Sequence, residues 1–162
     1  MPNWIEGSLK LRGKSENLKK FFENAILPCA YHGDKNMFIS CYFDSESCQV
    51  DINPDAYIDG TTRAFVSDAA YLYWNESEKQ ITCCIPVNQA WGFKADEWLN
   101  IANKYDIDIR LYGVESGMGF WQEIEIMRLE QNKGREITKN IVSDYTDYDE
   151  FIWECNMPLL GG

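Results

Sequence analysis

This chain of 162 residues has one histidine, no cysteines at the CxxC spacing and no long apolar run. A Ser-His-Asp or Cys-His catalytic set would have to use His32, the single histidine, which has no nucleophile motif beside it. The six cysteines form no CxxC spacing, so we expect reduced thiols and neither a disulfide framework nor a zinc site. No stretch approaches the roughly 18 apolar residues of a membrane span, and no signal segment stands at the start. These absences predict a cytoplasmic protein of the host cell.

Basic residues are also in short supply. The chain has 15 lysines and arginines against 26 aspartates and glutamates, a formal net charge of -11. A surface of that sign repels nucleic acid and anionic membranes, so we expect no direct contact with either. The charge favours instead a protein partner with a basic surface. The acid is concentrated late in the chain, because residues 143–162 include five acids and no base.

Periodic patterns predict an α+β fold. Helical spacing of apolar residues predicts one helix from Ser15 to near Pro28 and a second over Ala95–Tyr105. Alternation predicts strands, including an antiparallel hairpin. The predicted strands cover residues 8–12, 37–43, 48–52, 61–67, 70–74 and 80–87 (the last two forming the hairpin), 107–112, 120–129 and 135–145.

This order of elements predicts a ferredoxin-like two-layer sandwich, with an antiparallel sheet, two main helices and a short C-terminal helix over Tyr148–Cys155. We expect a single domain over residues 1–162. An irregular insertion is predicted at about 29–62, where turn residues surround short apolar runs, and an acidic C-terminal extension at about 133–162.

Three glycines lie between two predicted strands in Gly113-Val-Glu-Ser-Gly-Met-Gly-Phe-Trp121. A phosphate-binding loop would need a helix after it, and a P-loop would also need Lys-Ser or Lys-Thr, whereas here a strand follows. We therefore expect a hairpin loop or a bulge between paired strands, in which the three glycines allow positive φ.

Two stretches carry a family resemblance. The first is Met1-Pro-Asn-Trp4, followed by a strand and a Leu/Phe helix. The second covers about residues 70–130 and includes Val87-Asn-Gln-Ala-Trp91 and Glu115-Ser-Gly-Met-Gly-Phe120. Both resemble phage and plasmid proteins that carry a YubB-like, ferredoxin-like domain. The resemblance implies a mobile-element origin and no iron–sulfur ligands, and it implies no particular reaction. The chain departs from the family at Gly92-Phe93, where a polar residue and prolines are usual, and at Gln122, where glycine is common.

The densest acidic stretch is Asp144-Tyr-Thr-Asp-Tyr-Asp-Glu150. One interpretation is the charged first turn of the last helix, which the helix dipole favours. The other is a surface that imitates phosphates and occupies a basic groove of another protein, with tyrosine and tryptophan contacts around it. The predicted partner-binding residues are Asp144, Tyr145, Asp147, Tyr148, Asp149, Glu150, Trp153, Glu115 and Trp121.

These features predict a small acidic mobile-element protein, not an enzyme, that binds and inhibits a host protein. Its most concrete form is an anti-CRISPR type inhibitor that occupies the basic nucleic-acid-binding surface of an effector. We expect no catalytic residue, metal or cofactor, although Glu123 and Glu125 share a strand face as a paired-acid hydrolase would require. Two alternatives remain: a ligand-binding or enzymatic domain with a pocket near Trp91, Glu115 and the glycine turn, and an oligomerising structural phage protein.

Overall fold

A computed structural model describes residues 3–29, 38–44, 47–53, 55–67, 70–73, 80–129 and 134–144. These residues form two helices and eleven strands. In chain order the elements are β1 (Trp4–Gly13), α1 (Ser15–Asn24), β2 (Ile26–Pro28), β3 (Phe38–Phe43), β4 (Ser47–Asn53), β5 (Asp55–Ile58), β6 (Ala64–Ser67), β7 (Ala70–Tyr73), β8 (Ile81–Ala90), α2 (Ala95–Tyr105), β9 (Asp108–Glu115), β10 (Phe120–Arg128) and β11 (Arg135–Asp144).

The strands form two sheets. The larger has eight strands in the order β11-β10-β9-β1-β8-β6-β5-β2, and each neighbouring pair is antiparallel. The smaller has the order β3-β4-β7. Strand β1 lies at the centre of the larger sheet, where Gly7 is needed for strand packing, because a Cβ on it would lie 1.9 Å from the carbonyl oxygen of Tyr112 in β9.

One face of the larger sheet is covered. Ile5, Leu9 and Leu11 of β1 are fully buried on this face and belong to one core cluster with the apolar sides of α1 and α2. The two helices meet where the rings of Phe21 and Tyr105 pack edge to face at 5.5 Å. Buried residues of β4 join the same cluster, so the smaller sheet completes the covering layer beside α1.

The opposite face carries the alternate side chains, which are more polar and mostly exposed or half-buried. We call it the open face, because no described helix packs on it. Its side chains are Tyr57, Phe65, Trp4, Glu6, Ser8, Lys10, Arg12, Thr82, Cys84, Pro86, Asn88, Asp108, Arg110, Tyr112, Val114, Trp121, Glu123, Glu125 and Met127.

The predicted ferredoxin-like two-layer sandwich is wrong. The structure is mostly sheet, with eight antiparallel strands in one sheet and three in another. Helix α2 covers the predicted residues, whereas α1 begins at Ser15 as predicted but ends at Asn24, and Ile26–Pro28 form β2. The extra strands lengthen the larger sheet at both edges. Strand pairing uses backbone groups that every residue carries, so the strand count and order have no direct signature in one sequence. The predicted C-terminal helix lies outside the described residues.

The individual strand predictions have mixed outcomes. Strands β3, β4, β10 and β11 lie where alternation predicted them. The predicted hairpin of residues 70–87 is wrong, because β7 pairs with β4 in the smaller sheet while β8 pairs with β1 and β6 in the larger one. A short apolar run has the same pattern in either sheet, so the pattern could not choose between them.

The cysteine side chains follow the alternation of strand residues between the two faces of a sheet. Cys83 is buried on the core face and Cys84 is half-buried on the open face, and each described cysteine is free. Burial raises the pKa of Cys48 to about 12 and that of Cys41 to about 11, so these thiols are protonated at neutral pH. No helix among the described residues has the length and apolar character that crossing a membrane requires.

Candidate functional site

The glycine stretch forms the hairpin between β9 and β10, and Glu115 holds it together. Its buried carboxylate accepts hydrogen bonds from the backbone N–H of Gly117, at 2.9 Å, and of Met118. The N–H of Gly119 donates to the Glu115 carbonyl oxygen at 3.1 Å. Both carboxylate oxygens of Glu115 therefore serve the turn, which favours a structural role for this residue over ligand binding.

Each of the three glycines in this stretch is needed for a different structural reason. Only Gly119 adopts positive φ, at 73°, so the prediction of positive φ is confirmed there alone. At Gly113 a Cβ would lie 2.7 Å from the ring of Phe93 and 2.9 Å from the side chain of Ile5, so that glycine permits close packing. At Gly117 a Cβ would approach the Glu115 carboxylate to 2.9 Å.

The two departures from the YubB-like pattern touch one another. The side-chain amide of Gln122 donates to the carbonyl oxygen of Phe93 at 2.8 Å, and its oxygen accepts from the Phe93 N–H, also at 2.8 Å. Gly92 adopts φ of 96° directly before this clamp. Gln122 and the buried ring of Phe93 thus occupy space beside the hairpin, close to where the alternative ligand pocket was predicted.

Aromatic rings collect at the end of the open face where β1 begins and β10 begins. Trp121 stacks on Tyr112 with ring centroids 5.8 Å apart and planes at 19°. Trp4 packs edge to face on Phe65 at 5.8 Å, and Phe65 contacts Tyr57 at 6.0 Å. We call this region the aromatic end. Its members are Trp4, Tyr57, Phe65, Trp91, Tyr112 and Trp121.

An arginine lies between two of these tryptophans. The guanidinium of Arg63 is 5.3 Å from the ring centroids of both Trp4 and Trp91. Trp91 is 57% exposed, and both Trp91 and Arg63 have positive φ, at 61° and 56°. That backbone conformation costs a non-glycine residue about 1–2 kcal/mol, and such strain concentrates at functional positions. Arg63 was not predicted from the sequence, because no recognisable motif lies near it.

Strand pairing brings three predicted partner-binding residues to the same end of the larger sheet, where Trp121 lies on the open face and Glu115 and Asp144 alternate onto the covered face. Phe120 of β10 pairs with Glu115 of β9 on one side and with Asp144 of β11 on the other, and Trp121 is the next residue. Trp121 is half-buried, and Trp98 is fully buried in the core. The remaining predicted residues, Tyr145, Asp147, Tyr148, Asp149, Glu150 and Trp153, lie outside the described residues, as does His32.

Glu123 occupies the middle of the open face. Its carboxylate accepts from Arg110 at 2.5 Å and from Lys139 at 2.6 Å. Burial alone would raise the pKa of Glu123, but hydrogen bonds from Lys139 and Arg110 outweigh it, and the pKa lies below its ordinary value. Glu125 shares the face and lies 3.9 Å from Arg110. This geometry favours a structural pair over a hydrolase pair, whose acid needs a raised pKa.

The opposite end of the open face is basic. Asp108 at the start of β9 accepts from Arg12 at 2.8 Å and from Arg135 at 3.0 Å. Asp106, in the left-handed conformation that ends α2, pairs with Arg135 and Arg128. The hydrogen bond from Arg135 is the main cause that lowers the pKa of Asp106.

We call this region the basic end. Its cations are Lys10, Arg12, Lys14, Arg110, Arg128 and Arg135. Two depressions lie there, of about 170 and 270 Å³, and they share Arg12 and Asp108 in their walls. This cluster was not predicted from the sequence, because Arg110, Arg128 and Arg135 lie more than 90 residues along the chain from the other three cations.

The described residues contain no group of three or more His, Cys, Asp or Glu side chains that could hold a metal ion. Comparison of the chain with protein-family models, with curated proteins and with solved structures gave no match. The mobile-element origin that the resemblance implies therefore stays a prediction.

Proposed function

We propose that this chain is a small acidic protein of a phage or other mobile element that binds a host protein and inhibits it. The aromatic end is the contact surface. The observation that carries the proposal is the exposed Trp91, whose indole lies against Arg63 on a strained backbone beside further aromatic rings. None of the helices in the described part of the chain packs over this surface.

The composition of the aromatic end suits a protein interface. Tryptophan, tyrosine and arginine are the residues most enriched among those that dominate binding energy. Here their rings are already held by stacking and edge-to-face contacts, so little side-chain freedom is lost when a partner binds.

Charge supports a basic partner. The acidic stretch that begins at Asp144 is joined covalently to the sheet next to the aromatic end, because Asp144 pairs with Phe120, the residue before Trp121. A net charge of -11 speeds the approach of a positive surface and makes the association sensitive to salt. The partner that fits is a protein with a nucleic-acid-binding groove, and a CRISPR effector is the concrete form that we propose.

The test is affinity capture from host lysate with matched variants. We expect one host protein to be retained by the wild type and by Tyr42→Ala, and to be lost with Trp91→Ala. Tyr42 is the control because it is 64% exposed in β3, away from the aromatic end. With that partner purified, Trp91→Ala should weaken binding by about 2 kcal/mol, roughly thirtyfold. Equal affinity of both variants would contradict the proposal.

The acidic stretch has its own test. Neutralising Asp144, Asp147, Asp149 and Glu150 together should slow association and flatten the dependence of affinity on salt concentration. If the affinity and its salt dependence both stay unchanged, this stretch is not part of the interface. The comparison of Trp91→Ala with Tyr42→Ala would still test whether the aromatic end binds the partner.

One observation favours oligomerisation as a second candidate function. The two edges of the larger sheet differ: β2 has three residues and ends in Pro28, whereas β11 has ten and exposes Ile141 and Val142, the latter by 60%. Short strands and prolines protect an edge from pairing with another chain, and β11 has neither; its protection is limited to charged side chains such as Lys139 and to the register shift opposite Glu125 and Ile126. Light scattering tests this: a concentration-dependent dimer that Val142→Lys abolishes would support it, and a monomer at high concentration would exclude it.

A further inference from the structure

The larger depression of the basic end lies where six structural elements meet. Its wall includes four cations: Arg12 of β1, Lys14 beside α1, Arg128 of β10 and Arg135 of β11. It also includes Asp106, which ends α2, and Asp108, which begins β9. Four cations thus surround two carboxylates. This excess of two positive charges is held within one depression of a chain whose net charge is -11.

The two aspartates hold the guanidinium groups in place. Arg135 is 94% buried at its side chain and spans from Asp106 to Asp108, and Asn103 accepts a hydrogen bond from its backbone N–H at 2.8 Å. Arg12 binds Asp108 through both Nε, at 3.1 Å, and Nη2, at 2.8 Å. The positions of the cations are therefore set before any ligand arrives, which lowers the entropy that binding would cost.

Donors remain available on the exposed cations. A guanidinium has five N–H groups, and the hydrogen bonds to the aspartates use only part of those on Arg12 and Arg128. These two side chains are 45% and 49% exposed. Lys14 is exposed on the same wall, and within the described part of the chain it has no ion pair.

We infer that this depression binds the phosphate group of a small ligand. A phosphate monoester carries about -1.5 to -2 charges at neutral pH, which matches the excess of two positive charges, whereas a carboxylate supplies only one. Its three terminal oxygens can accept from Arg12, Arg128 and Lys14 together, and guanidinium groups suit such paired acceptors. The volume of about 270 Å³ lies just below the range of roughly 300–1,000 Å³ for drug-sized ligands, so a phosphate or diphosphate fits better than a whole nucleotide.

The experiment is isothermal titration calorimetry of the full chain with inorganic phosphate and pyrophosphate, and with citrate as the carboxylate comparison. We expect saturable binding of pyrophosphate at one site and weaker binding of phosphate. Arg128→Gln and Lys14→Gln should each reduce the affinity about tenfold, because each removes a charge-assisted hydrogen bond. Lys20→Gln is the matched control, since it removes one positive charge from an exposed residue of α1 that does not line the depression.

Folding of each variant is checked by circular dichroism. Arg128 also pairs with Asp106, so if its variant fails to fold, Lys14→Gln decides the question alone, because that side chain holds no described element in place. Three results would overturn the assignment: no saturable binding of pyrophosphate at millimolar concentration, an equal loss of affinity with Lys20→Gln, or citrate binding as tightly as pyrophosphate. None of these measurements involves the proposed host partner.

Discussion

The two ends of the open face are built by the same strands in different ways. Strand β1 carries Trp4 at one end and Arg12 at the other, about 26 Å apart at the usual rise of a strand. At the aromatic end, ring contacts hold the side chains, and exposed Trp91 and Arg63 stand on strained backbone. At the basic end, ion pairs hold them, and Arg135 is almost completely buried.

This difference teaches how one sheet can offer two separate surfaces. Ring contacts fix the aromatic groups beside the exposed Trp91, whereas ion pairs consume some donors and orient the rest. The ion pairs of Glu123 with Arg110 and Lys139 lie between the two ends. The predictions below therefore test the two ends, and the ion pairs between them, by separate substitutions.

The largest effect is expected at the basic end. Arg135→Ala removes the guanidinium that joins Asp106 to Asp108 and leaves Asp108 buried with Arg12 as its remaining charged partner. Breaking a buried ion pair in this way costs about 3–5 kcal/mol of unfolding free energy, measured by urea denaturation. The exposed Asn140→Ala in the same strand should change it by less than about 0.5 kcal/mol. A loss below about 1 kcal/mol for Arg135→Ala would show that these ion pairs do not support the fold.

A smaller effect is expected at the aromatic end. Because Trp91 has φ of 61°, Trp91→Gly should be more stable than Trp91→Ala by about 1 kcal/mol in urea denaturation, since glycine adopts this conformation without strain. The same pair of substitutions at Tyr42, in β3, should show the opposite order, because glycine weakens a strand. If alanine is as stable as glycine at position 91, the backbone there is not strained.

The smallest effect concerns the residue between the ends. The pKa of Glu123 is lowered in the folded protein, so its contribution to stability is complete above the ordinary value of 4.5 and is lost as pH falls below that value through the folded pKa. Glu123→Gln should lower the unfolding free energy at pH 7, and its difference from the wild type should shrink over that acid range. Urea denaturation at several pH values checks this, with Glu16→Gln in α1 as the control. A difference that is constant with pH would contradict the prediction.

Part of the candidate site could be predicted from sequence. The hairpin at Gly113–Trp121 follows from strand alternation on both sides of a glycine-rich stretch, and Glu115 and Trp121 lie at its edges. Arg63 and the Arg135 ion pairs could not be predicted. Their partners come from other strands, and one sequence does not show which strands are neighbours.

The amino-acid sequence by itself determined the places of the two helices, strands β3, β4, β10 and β11, the net charge of -11 and the turn between β9 and β10, because these depend on side chains close together in the chain or on composition alone. Only the tertiary structure decided the order of eight strands and therefore which residues share an end of the open face. Backbone hydrogen bonds join any two strands, and the choice among them depends on how all the apolar faces pack together. That packing placed Trp4 near Trp91 and Arg12 near Arg135.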